Sequence, residues 1–235
     1  MPHTNAILAL RREQLARATK PFRARGSRVV RCEACLLPEA DCICTVRPAV
    51  TCRSAFCFLV YPGEAFKPSN SGRLIADIAP DNHAFLWQRT ACDPRLQALL
   101  EDERYAPMVV FPHDYAAPER CIHHPEEALA GQPERIPLFV MLEGTWREAR
   151  KMFRSPWLAS LPVLGLKPEA ASRYLMRDAA HPHQLCTAEV GIELLKLAGE
   201  PDAAQALADY FERFCAHYAV IKPHLHHKTR GQTPG

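Results

Sequence analysis

The sequence predicts an α/β protein, a mostly parallel sheet covered by helices, with a small cysteine-bearing module at its N-terminus. Three observations carry that reading. Five short runs after residue 53 are near-continuously apolar, as strands buried on both faces are, instead of alternating. Turn-rich and helically spaced stretches separate those runs, the rhythm of strand-helix-strand units. Four of the ten cysteines fall between positions 32 and 44.

In chain order, residues 5–19 have helical character and are too polar to be deeply buried. The cysteine cluster follows at 32–44. The candidate strands are Ala55–Tyr61, Ala84–Trp87, Met108–Phe111, Leu138–Leu142 and Pro162–Leu164. The helices between and after them are expected at Gly72–Ile78, Pro94–Glu103, Trp146–Phe153, Ala188–Leu197 and Pro201–Val220. In the last, Ala203, Leu207, Phe211, Phe214, Tyr218 and Ile221 share one face, which is a core signal. Residues 114–135 are rich in Pro, Glu and His and read as a surface excursion. The tail from Lys222, with His224, His226, His227, Lys228 and Arg230, reads as a frayed end in preference to a metal site. The organisation is therefore a basic arm and four-cysteine module at 1–52, an α/β domain at 53–222 and a flexible tail at 223–235.

Composition sets the class. Apolar residues make up 48% and charged residues 23% of the 235, as in an ordinary globular protein that can bury a proper core. Net charge is only +3, but residues 11–31 carry Arg11, Arg12, Arg17, Lys20, Arg23, Arg25, Arg28 and Arg31 against Glu13 alone. Such an arm can meet nucleic-acid phosphates or can simply be solvated. No apolar run approaches the roughly 20 residues needed to span a bilayer, and the start lacks the features of a secretory signal. The expected location is cytoplasmic, with an organelle transit peptide as the alternative for an Arg-rich start. Scattered cysteines plus one tight cluster fit metal ligation and buried thiols in a reducing compartment.

Cys32-x2-Cys35-x6-Cys42-x-Cys44 offers four soft ligands within thirteen residues. Four thiolates with no open position favour structural zinc over catalytic zinc. The other conspicuous segment is Leu142-Glu143-Gly144-Thr145-Trp146-Arg147-Glu148-Ala149-Arg150-Lys151, after the apolar run ending at Met141. It reads as a buried strand, a Gly turn and a basic helix opened by a Thr145–Glu148 capping box. A carboxylate at a strand end beside a helix N-terminus suits chemistry on an anionic partner. The alternative is an ordinary corner with a solvated charged face. Tyr61 to Leu74 offers Lys67, Asn70, Ser71 and Arg73 beside a turn. Val109 to Asp114 ends a strand in a turn, and Leu185 to Val190 opens a late helix that Thr187 can cap.

In this order the motifs resemble the DTW-domain family, which installs a 3-amino-3-carboxypropyl group on uridine in tRNA. The similarity runs from the cysteines to the helix ending near Val220. Cys32, Cys35, Cys42 and Cys44 match its four-cysteine entry motif. Pro62-Gly63-Glu64 through Asn70-Ser71-Gly72-Arg73-Leu74 looks like its Pro-x-Glu…Asn-Thr-Gly-Arg-Leu stretch. Phe111-Pro112 corresponds to its Tyr-Pro turn, and Cys186-Thr187-Ala188-Glu189-Val190 to Ser-Thr-x-Glu-Ala. The namesake Asp-x-Thr-Trp stands here as Glu143-Gly144-Thr145-Trp146, which moves the acid one methylene outward.

The resemblance implies a SPOUT-like fold with a backbone knot toward the C-terminal side, and S-adenosylmethionine as cosubstrate. Glu143 would be the catalytic carboxylate, either accepting the uridine N3 proton or stabilising the sulfonium. Pro112, Leu142, Thr145, Trp146, Leu185 and Thr187 would line the cosubstrate pocket. Lys67, Asn70, Arg73, Arg147, Arg150 and Lys151 are the candidates for tRNA contact, with Arg173 and Arg177 as further possibilities. The products would be acp-modified uridine and methylthioadenosine. A SPOUT-like RNA methyltransferase and a non-catalytic zinc-bearing RNA-binding protein are the competing readings.

Overall fold

The computed structural model describes residues 4–19, 29–166 and 185–221. Six strands form one sheet, β1 (Ala55–Val60), β2 (Asn82–Leu86), β3 (Tyr105–Val110), β4 (Cys121–Ile122), β5 (Ile136–Glu143) and β6 (Val163–Leu164). Their order is β2-β1-β5-β3-β6-β4, and every pairing is parallel. All six residues of β1 are buried, as a continuous apolar run inside a two-sided sheet should be. The strands expected from the sequence are all present with ends shifted by up to three residues. The two-residue β4 lies within the stretch read as a surface excursion, where nothing in its own sequence marks a strand.

Side chains alternate across the sheet and split the core in two. Phe56, Phe58, Val60, Phe139 and Met141 face one layer, which contains α2 (Gly72–Ile78), α6 (Thr187–Leu197) and α7 (Pro201–Ile221). Leu59, Leu138 and Val140 face the other, packed by α3 (Pro94–Glu101) and α5 (Trp146–Phe153). The short α4 (Pro125–Leu129) lies beside β3 and β5. Helices α2 and α5 begin and end where the sequence predicts. In α6 the prediction is off by one, since Cys186 is the N-cap and Thr187 the first helical residue.

The N-terminal segment is more deeply engaged than its composition suggests. Helix α1 (Ala6–Arg17) buries Ile7, Leu8 and Leu10, and Ile7 is 1% exposed. Its N-cap Asn5 donates from Nδ2 to the Arg73 carbonyl and to Asp77 Oδ1, both at 2.8 Å. Tyr210 Oη donates to Asp77 Oδ2 at 3.0 Å, and Arg47 lies 3.2 Å from Oδ1. The expectation of a shallow helix fails because three apolar side chains in its first turns suffice to dock it. Leu37 and Ile43 of the cysteine segment join the same core layer. Residues 20–28 of the basic arm, Arg173, Arg177 and the tail histidines lie outside the described residues, as does the 167–184 path on which the expected knot depends.

Candidate functional site

The C-terminal edge of the sheet gathers the motifs. The chain leaves β1 toward one outer strand, β2, and leaves β3 toward the other side, with β5 between them. In open parallel sheets ligands bind beyond the strand ends at such a reversal. Glu143 is the last residue of β5, at the centre of that edge, and it is 1% exposed. The Tyr61 N–H donates to the Glu143 carbonyl at 2.8 Å, so the turn after β1 is fastened to the corner.

Asn70 sets the carboxylate's position. Its Oδ1 accepts the Arg73 N–H at 3.2 Å, which turns Nδ2 toward Glu143 Oε2, 2.6 Å away. Gly72 makes room for the carboxylate. A Cβ at position 72 would stand 2.6 Å from Oε1 and 2.8 Å from Cδ of Glu143. The backbone there does not lie in the left-handed region, so glycine serves space and not conformation.

Two of the residues expected to contact tRNA are placed otherwise. Asn70 and Arg73 are each 1% exposed. Every residue of α2 is buried, so Arg73 points inward, with its guanidinium 4.8 Å from the Phe214 ring centroid and Nη1 3.4 Å from the carbonyls of Pro68 and Asn70. It holds the 68–70 turn and cannot meet an external phosphate. Lys67 remains half-exposed and donates to the buried Glu64 at 2.5 Å. Arg147, Arg150 and Lys151 are exposed along α5, as expected.

The expected cosubstrate residues fall in two groups. Trp146 stacks on Phe111 at 5.2 Å, beside Pro112 at the end of β3. Across the corner, Ser71 Oγ accepts the Ala188 N–H at 3.2 Å, bringing Leu185 and Thr187 to the N-terminus of α2. Cys186 N donates to Glu189 Oε2 at 2.8 Å. The Thr145–Glu148 box forms as the sequence predicts, with Thr145 N donating to Glu148 Oε2 at 2.7 Å. Partial burial alone would raise the Glu148 carboxyl. Hydrogen bonds from Thr145, with Lys67 and Lys151 nearby, bring it below its ordinary value instead.

Sequence reasoning gave no role to Glu64, 1% exposed, or to Gly72. Their only signal was the motif in which both stand. Nor did it find Arg120 and Arg154, which join Arg150, Phe111, Tyr115 and Phe153 around a cavity of about 320 Å³ beside α5.

The four clustered cysteines come together in the N-terminal segment. Their sulfurs all lie within 4.8 Å of one another, with Cys32–Cys44 at 3.6 Å and Cys35–Cys42 at 3.8 Å. A tetrahedral ion with bonds of about 2.3 Å to sulfur sets its ligands about 3.8 Å apart. The cluster therefore fits one such ion. Burial works against the Cys32 thiolate, but the N–H groups of Cys35 and Ala34 and the neighbouring thiols bring its pKa down to about 7.

The DTW domain matches residues 29–219, from the cysteine cluster through nearly all of α7. The chain belongs to the DTW-domain family. That family is the tRNA-uridine aminocarboxypropyltransferases, and membership supports a tRNA-modifying function with tRNA as substrate. No solved structure matches the chain. Among the described residues, no helix is long and apolar enough to cross a membrane.

Proposed function

We propose that this DTW-domain protein transfers the 3-amino-3-carboxypropyl group of S-adenosylmethionine to N3 of a tRNA uridine. The observation that carries the reading is the buried carboxylate of Glu143, oriented by Asn70 at 2.6 Å, at the sheet edge where the family motifs converge. In the balanced step the N3 proton passes to Glu143 and the N3 lone pair attacks the aminocarboxypropyl carbon. The carbon–sulfur bond breaks, and its electron pair neutralises the sulfonium as methylthioadenosine leaves. Correct placement of one electrophilic carbon supplies much of the rate. Pro112, Leu142, Thr145, Trp146, Leu185 and Thr187 are proposed to hold the cosubstrate. Lys67, Arg147, Arg150 and Lys151 are proposed to contact tRNA.

The same proposal assigns one structural zinc to Cys32, Cys35, Cys42 and Cys44. Four thiolates leave no position for substrate, so the ion would brace the N-terminal segment against the core.

The test incubates the protein with an unmodified tRNA transcript and S-adenosylmethionine, followed by mass spectrometry of nucleosides and small products. Methylthioadenosine with acp-uridine is the expected outcome. Adenosylhomocysteine would mean methyl transfer, and tRNA binding without product would mean a non-catalytic RNA-binding protein. Glu143→Gln should retain S-adenosylmethionine binding and lose roughly 10²-fold or more in single-turnover rate. A wild-type rate in that variant overturns the role given to the carboxylate.

A further inference from the structure

The cavity beside α5 has a make-up that proton transfer and cosubstrate binding do not use. It is lined by Arg120, Arg150, Arg154, Phe111, Tyr115 and Phe153, and encloses about 320 Å³. None of the three arginines forms an ion pair among the described residues. Arg150 and Arg154 are four positions apart, a like-charge spacing that costs a helix stability. Three cations thus line one cavity without an acidic partner among the described residues.

The aromatic side is equally specific. Tyr115 is 40% exposed, a rare case here of a large ring left open to solvent. It makes T-shaped contacts with Phe111 and Trp146 at centroid distances of 5.4 and 5.6 Å, which fix its orientation. The Arg150 guanidinium lies over the Tyr115 ring, 5.1 Å from its centroid, a cation–π contact that holds the guanidinium plane in place. Arg120 is pinned by the carbonyls of Leu158 and Leu161 at 2.7 and 2.9 Å. Trp146, stacked on the same Phe111, is the residue three after Glu143, so the cavity adjoins the proposed site of transfer.

We infer that this cavity binds one unpaired nucleotide of the RNA substrate, flanking the uridine that is modified. The inference rests on the tRNA reading above. The base stacks on the outer face of the Arg150 guanidinium, which Tyr115 backs from beneath, and the phosphate takes Arg154 and Arg120. Its volume lies at the small end of ligand pockets and suits a single nucleotide. S-adenosylmethionine does not fit the charge, because its sulfonium and ammonium outweigh its one carboxylate. Splaying a neighbouring nucleotide into a stacking pocket is how proteins open an RNA loop to reach one base.

The experiment measures binding of a short single-stranded uridine oligonucleotide, and of the tRNA transcript, across a salt series. Wild type is compared with Tyr115→Ala, Tyr115→Phe and Arg154→Gln, each with its melting temperature and S-adenosylmethionine affinity. Both positions are exposed, and neither substitution should unfold the chain. Tyr115→Ala should weaken oligonucleotide binding roughly 5-fold or more, while Tyr115→Phe keeps it. Arg154→Gln should reduce the salt slope by about 0.7. S-adenosylmethionine affinity should stay within twofold of wild type in all three. If Arg154→Gln lowers the slope but Tyr115→Ala binds normally, the cavity is an anion site without a stacked base and the inference fails. If wild type modifies tRNA and all variants bind and react like it, the pocket is refuted and the transferase reading stands. Wild type that binds neither RNA overturns both.

Discussion

Gly72→Ala is the sharpest probe of how the carboxylate is held. The added Cβ would stand 2.6 Å from Glu143 Oε1, so the carboxylate must withdraw by roughly 1 Å to regain ordinary contact. Oε1 and Oε2 belong to one rigid group, so that withdrawal should disturb the 2.6 Å bond from Asn70 to Oε2, in a site where Glu143 is 1% exposed. Overpacking of this kind typically costs about 1–3 kcal/mol, offset in part by the better helix propensity of alanine, up to about 1 kcal/mol. Net destabilisation should therefore be small, near 1 kcal/mol. The rate should suffer far more, because a 1 Å misplacement of a reacting group can cost about 10²-fold. The assay is single-turnover release of methylthioadenosine with tRNA, beside urea denaturation of the same preparation. A normal rate with normal stability would show that the carboxylate's position is not constrained, and the reasoning would fail.

Other outcomes follow from the same geometry. Metal analysis should give about one zinc per chain, falling sharply in a Cys32→Ser, Cys35→Ser variant whose melting temperature also drops, since metal binding free energy is folding free energy in such modules. Metal-free protein with an unchanged melting temperature would refute that. Asp93 caps α3 by accepting the Arg95 N–H at 2.9 Å, and the Arg95 side chain helps hold its carboxyl below the ordinary aspartate range. Asp93→Ala should cost about 0.5–2 kcal/mol at pH 7 by urea denaturation. A depressed folded pKa gives stability that is complete above the unfolded value near 3.9 and lost as pH falls through the folded value. The charge-dependent part of the difference should therefore shrink on acidification to about pH 3, and an unchanged gap would assign it to packing.

What could be read in the chain was what local chemistry decides. Continuous apolar runs located β1 and β5, and the Thr145–Glu148 pair fixed the start of α5 to the residue. The cysteine spacing brought four sulfurs within 4.8 Å, as the ligand reading required. What escaped depends on distant partners. Arginine reads as a surface residue, and Arg73 is buried with Phe214, 141 positions on, offering a ring face 4.8 Å from its guanidinium. Strand β4 exists by pairing with β6 and carries no pattern of its own. The arginine cavity needs Arg120 and Arg154 from opposite ends of that excursion and helix, and no linear window contains it.

Asn70 and Gly72 define what the longer acid at position 143 does here. The longer acid reaches Asn70 Nδ2 at 2.6 Å and fills the space that a glycine leaves open. Aspartate would withdraw the carboxylate by up to about 1.5 Å, one carbon–carbon bond. From the same backbone it would leave the Asn70 donor near 4 Å, beyond hydrogen-bond range. Glu143→Asp alone should therefore lose activity, by roughly 10-fold or more, although it restores the family's residue. The same shortening should relieve the contact at position 72. Glu143→Asp added to Gly72→Ala should then cost less than the two single losses combined, by about 1 kcal/mol or more of coupling in transition-state free energy. Strict additivity in that cycle would mean that the side chains at 72 and 143 do not contend for one space, and the account of this substitution would be wrong.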